Sequence, residues 1–113
     1  MGRFETSLDH SNRWHQPVRV PVGKENVFGS AKEMVADLPG WEVQSVDEQA
    51  LTIHCEKKGG LLGGTSKIVV RVEGPDGIPS SETHCSCESS GGLLSKDKGN
   101  VAEFVKKFWM RVT

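Results

Sequence analysis

The 113-residue sequence lacks any apolar run near the roughly 20 residues that a helix needs to cross a bilayer. It also lacks an excess of either charge. Lys and Arg number 14 and Asp and Glu 15, for a net charge of -1. General nucleic-acid binders usually carry a basic excess, so that class is disfavoured, although a local basic patch is still allowed. Three cysteines are an odd number, and none sits in a Cys-x-x-Cys pair. That argues against a disulfide scaffold and for a reducing, cytoplasmic setting. Met1 to Trp14 contains no apolar core of a signal peptide. Met1-Gly2 with Thr6 fits the loose myristoylation pattern, which is read as a chance match.

Catalytic signatures are missing too. Gly59 to Ser66 does not end in Gly-Lys-Ser/Thr, so no phosphate loop is present. Ser80, Ser81, Ser86, Ser89, Ser90 and Ser95 lie in no Gly-x-Ser-x-Gly elbow. No pair of carboxylates stands out for acid–base work. The sequence therefore names no catalytic residue and no cofactor.

What the sequence has is clear periodicity. Residues 1–14 show none and are expected to be a flexible lead, followed by one domain over 15–113. Residues 16–22 read as an edge strand, since Pro17 and Pro21 cannot donate to a ladder. Val27, Phe28, Ala31, Met34, Val35 and Leu38 mark one face of a helix that ends at Pro39-Gly40. Gly29 inside that helix suggests a close approach to the sheet. Four alternating runs follow: Trp41 to Val46, Leu51 to Lys57, Ser66 to Glu73 and Ser81 to Ser89. Short connections between them predict an antiparallel meander. A last helix spans Asp97 to Arg111, with Val101, Phe104, Val105, Phe108, Trp109 and Val112 as its apolar stripe. Its start fits a capping box of Asn100 with Glu103, or an earlier start at Ser95 or Asp97.

The predicted class is α+β, an antiparallel sheet of about five strands in the order β-α-β-β-β-β-α. Two helices with apolar stripes need a surface to cover, and one face of the sheet supplies it. This order, and the opening Val18-Arg19-Val20-Pro21-Val22-Gly23-Lys24-Glu25-Asn26-Val27-Phe28, resembles the helix-grip folds of lipid- and small-ligand-binding proteins. The order also resembles half of the TATA-binding-protein fold. Leu38-Pro39-Gly40-Trp41-Glu42-Val43 and Ser95-Lys96-Asp97-Lys98-Gly99-Asn100 resemble the uncharacterised family called domain of unknown function 1499. That family implies no activity, and here Asn100 follows Gly99 directly, one position closer than its pattern.

Two sets of residues are candidates for contact. Gly-Gly-Leu-Leu occurs at 59–62 and again at 91–94. Leu61, Leu62, Leu93 and Leu94 either close over a small apolar ligand or protein partner, or fold back onto the core edge. His54, Arg71 and His84 belong to the polar face of the sheet, which reads either as a binding surface or as a solvated face of paired charges. His54-Cys55 and His84-Cys85-Ser86-Cys87 suggest zinc. Adjacent strand residues point to opposite faces, however, so no metal site is assigned and Cys55, Cys85 and Cys87 are expected in the core. The leading expectation is a non-enzymatic binding module. The alternatives are a thiol- or metal-dependent protein using these Cys and His residues, and a nucleic-acid contact through Lys96, Lys98, Lys106, Lys107 and Arg111.

Overall fold

The computed structural model describes residues 2–58, 64–90 and 97–113. The elements in chain order are strand β1 (Gly2–Glu5), a 3-10 turn at Arg13–His15, strand β2 (Val18–Val20), helix α1 (Lys24–Asp37), strand β3 (Trp41–Asp47), strand β4 (Thr52–Lys58), strand β5 (Thr65–Glu73), strand β6 (Ser81–Ser90) and helix α2 (Asp97–Val112). All pairings are antiparallel, in the spatial order β1-β6-β5-β4-β3, with β2 also on β6. The α+β class and the two helices on one sheet face agree with the reading of the periodicity.

The sheet has six strands where about five were expected. The additional one, β1, lies in the segment read as a flexible lead. Its register sets Phe4 against Cys87 and Arg3 against Glu88. Four residues give only two inward positions, and one of them is Gly2, so no period could register. Residues 6–17 then loop out and return, so that β1 and β2 share β6 end to end. Arg13 is held in this loop between two indoles, with its guanidinium 5.0 Å from the Trp14 ring and 5.2 Å from the Trp109 ring of α2. β2 is shorter than the expected 16–22 because Pro17 and Pro21 bracket it without N–H donors.

The inward face of the sheet is apolar because every second residue is. Ile53, Ile68, Val70, Val72 and Val18 are fully or almost fully buried there, and so are Cys55, Cys85 and Cys87. From above, α1 contributes Val27, Phe28, Ala31, Met34 and Val35, and α2 contributes Val101, Phe104, Val105 and Phe108. Phe104 stacks between Trp41 and Phe108, with ring centroids 6.3 and 5.3 Å away. Each buried phenylalanine contributes about 1.5–3 kcal/mol relative to exposure. The space gripped between sheet and helices is therefore filled by aromatic side chains of the protein itself.

Two glycines have backbone reasons to be there. Gly40 adopts φ +83° just after α1, and a Cβ on Gly74 would meet the Ser80 carbonyl oxygen at 2.4 Å. Gly29 does not: a Cβ there meets nothing within 4 Å. The expected close approach to the sheet is absent. Gly29→Ala should therefore stabilise the protein by about 1 kcal/mol, read as a rise of roughly 4 °C in melting temperature. A lower melting temperature would mean that the site is tighter than described.

Candidate functional site

The three polar-face candidates all lie on the outer side of the sheet, away from the helices. Arg71 and His84 are direct cross-strand partners, while His54 faces Val69 on the other side of β5. Arg71 and His84 share a cleft of about 220 Å³ with Arg3 and Thr6. His54 lies in an adjoining depression of about 290 Å³ with Glu56 and Lys67. Val69, Ser86 and Arg3 border both. The structure thus brings Arg71 and His84 together and leaves His54 one strand away.

Most arginines on this face are paired with carboxylates, while Lys67 and Glu56 make no ion pair among the described residues. Arg3 reaches Glu88 at 3.7 Å, Arg19 reaches Glu82 at 3.3 Å and Arg71 reaches Glu73 at 3.4 Å. Exposed pairs of this kind contribute well under 1 kcal/mol each. Their interest lies in the near neutrality they give the face, which makes it a poor platform for phosphates. At the basic end of the chain Lys96 lies outside the described residues and Lys106 is exposed, but the other three cations are engaged. Lys107 pairs with Glu103 at 3.0 Å, Arg111 with Glu33 at 3.2 Å, and Lys98 lies over the Phe4 ring.

A second constellation escaped the sequence reading. The first turns of α2 rest on a buried polar network. Asp97 accepts hydrogen bonds from Cys87 Sγ and Ser89 Oγ, both at 3.2 Å. Asn100 donates to Ser66 Oγ at 3.3 Å and accepts from Lys57 Nζ at 3.2 Å. Lys57 also reaches Glu103 at 3.2 Å. Asp97, Asn100, Ser66 and Ser89 are each at most 4% exposed. The capping box of Asn100 with Glu103 is therefore not formed: α2 starts at Asp97, and both side chains bond to the sheet instead. The available signal was phase, because Ser66 and Ser89 are polar residues at inward positions of β5 and β6.

Register places this network at one end of the sheet. Lys58 pairs with Thr65, and Thr65 with Ser90. Ser90 and Asp97 flank the second Gly-Gly-Leu-Leu segment, and Lys58 precedes the first. Leu61, Leu62, Leu93 and Leu94 themselves lie outside the described residues.

Comparison with known proteins bears on the fold. The crystal structure of Ara h 8.0201, a Bet v 1-like protein of the helix-grip fold, matches with a TM-score of 0.51 at 12% identity, over 96% of this chain and 97% of that one. The chain has a helix-grip-like fold. No family model and no curated protein matches the sequence, so the likeness of Pro39-Gly40-Trp41 and Asp97-x-Gly99-Asn100 to domain of unknown function 1499 gains no support there. At this identity the helix-grip likeness speaks for architecture and not for a ligand.

The thiols do not form a reactive centre. Cys55, Cys85 and Cys87 are free and at most 3% exposed. Burial pushes Cys55 and Cys87 up to about 11, and Cys85 well above the ordinary thiol range. At Cys87 the Asp97 carboxylate adds to the rise, while Asn100 and Ser66 oppose it. A nucleophilic cysteine needs the opposite shift. In the folded protein all three thiols should resist iodoacetamide at pH 8, and all three should label in urea. Stability should also fall as pH rises from about 9 to about 11, because only the unfolded chain releases these thiol protons in that window. Rapid labelling of the native protein would contradict the buried assignment.

Proposed function

We propose that this chain is a small, non-enzymatic binding module whose contact region is the sheet end from which both Gly-Gly-Leu-Leu segments depart. The observation that carries this reading is the register joining Lys58, Thr65 and Ser90, with Asp97 tied to Ser89. It gathers the flanks of both segments over one rigid, hydrogen-bonded floor. Four leucines next to glycines at such a place favour an apolar occupant, either a small ligand or an apolar stretch of a protein partner. The gripped interior is a weaker choice, because Phe28, Trp41, Phe104 and Phe108 occupy it.

Catalysis is disfavoured on the same geometry. Among the described residues, the one thiol beside a carboxylate, Cys87 against Asp97, is buried with its pKa pushed up to about 11, which is the wrong direction for a nucleophile. A nucleic-acid role is disfavoured because Lys98, Lys107 and Arg111 of α2 are engaged with Phe4, Glu103 and Glu33.

The leucines supply the test. Replacing Leu61 and Leu62 by Ser, and separately Leu93 and Leu94, should weaken binding of an apolar dye such as anilinonaphthalene sulfonate severalfold. Melting temperature should stay close to that of the parent. If the leucines instead fill the core edge, each pair would cost about 3–6 kcal/mol. Such a loss, with dye binding retained, would overturn this reading.

A further inference from the structure

The β5–β6 hairpin sets Glu73 directly opposite Glu82, with His84 two residues along β6 on the same outer face. One ligand atom from each lies within 4.8 Å of the others. His84 Nε2 is 2.7 Å from Glu82 Oε1 and 3.3 Å from Glu73 Oε1. The nitrogen is nevertheless buried and makes no hydrogen bond. Two oxygens are near enough, so the fault is in direction: neither lies along the line on which the nitrogen would donate.

A metal ion resolves that geometry. A hydrogen bond needs its oxygen on the line, whereas a metal sits on the line and gathers oxygens around it. With bonds of about 2.0–2.2 Å and tetrahedral angles, neighbouring ligand atoms lie roughly 3.3–3.5 Å apart. The spacing of His84 to Glu73 already matches, and that to Glu82 needs a small opening.

The surroundings orient all three groups. Arg19 holds Oε2 of Glu82 at 3.3 Å and Arg71 holds Oε2 of Glu73 at 3.4 Å, which leaves both Oε1 atoms for the histidine side. His84 Nδ1 lies 3.4 Å from Thr6 Oγ1. That oxygen accepts from the Cys85 N–H at 3.1 Å and has a second lone pair for an Nδ1–H. With Nδ1–H donating there, the lone pair falls on Nε2, which is how ligating histidines are usually set. Glu73 and Glu82 line an open cleft of about 550 Å³ and His84 a separate one of about 220 Å³, so room for a further ligand such as water is on the carboxylate side.

We propose that Glu73, Glu82 and His84 bind a divalent transition-metal ion of the zinc type, with one coordination position open to the cleft. One imidazole and two carboxylates suit zinc, cobalt or manganese. The two guanidiniums lower the affinity, so micromolar rather than nanomolar binding is expected. Titration calorimetry with zinc chloride should show one ion per chain, and the ion should raise the melting temperature. His84→Gln and Glu82→Gln should each weaken binding at least tenfold, while His54→Gln should leave it unchanged. Circular dichroism of each metal-free variant separates a lost ligand from a lost fold. In the parent protein, zinc should also move the nitrogen resonance of the His84 imidazole. Equal binding by His84→Gln, or an unmoved His84 resonance in saturating zinc, overturns the proposal.

Discussion

The seating of α2 on the inward face of the sheet is the constraint on which the other features depend. Its apolar stripe, Val101, Phe104, Val105 and Phe108, is wholly buried. That burial goes with apolar residues at most inward positions of β4 and β5 and draws all three cysteines under the helices, while Ser66, Ser81, Thr83 and Ser89 are the polar inward exceptions. It leaves the outer positions to charged and polar residues, which neutralise one another across the strands. The loop at residues 6–17 follows from it as well, since Trp109 on α2 gives Arg13 and Trp14 something to pack against.

Apolar burial does not choose where along the sheet a helix sits. The network of Asp97, Asn100, Ser66, Cys87 and Ser89 does. Each of its polar groups is far from water and is hydrogen-bonded in this register. Sliding α2 by one turn would break the bonds of Asp97 to Cys87 and Ser89 within a buried site, at a cost of several kcal/mol. The polar first turn thus works as a peg, and the phenylalanines behind it supply most of the attraction. Because the peg sits where β4, β5, β6 and α2 begin or end, it also holds the flanks of both leucine-bearing segments in place.

Much of this was legible from periodicity alone. Alternation in Leu51 to Lys57 and Ser66 to Glu73, and the three- and four-residue spacing of Val27 to Leu38 and Val101 to Val112, gave the elements to within a few residues. The cysteines were legible through strand phase. Other features were not. β1 is too short to show a period. The network joins residues up to 46 positions apart, as Lys57 does with Glu103. The sequence leaves the start of α2 open between Asn100 and an earlier Ser95 or Asp97, because a capping motif and a sheet-facing polar pair have the same spacing, and Asp97 is the start found. Periodicity sets Glu82 and His84 on one face, but only hairpin register makes Glu73 their neighbour. In the sequence His84 stands beside Cys85, and zinc is set aside there because adjacent strand residues point to opposite faces.

The central functional claim is that one end of the sheet receives an apolar partner. A two-dimensional amide NMR titration with a short-chain fatty acid tests it most directly. The account predicts shifts clustered at Lys58, Thr65, Ser89, Ser90 and the first turn of α2, together with both Gly-Gly-Leu-Leu segments, and quiet amides at His54, Arg71 and His84. Shifts confined to the outer face, with both leucine segments silent, would contradict it.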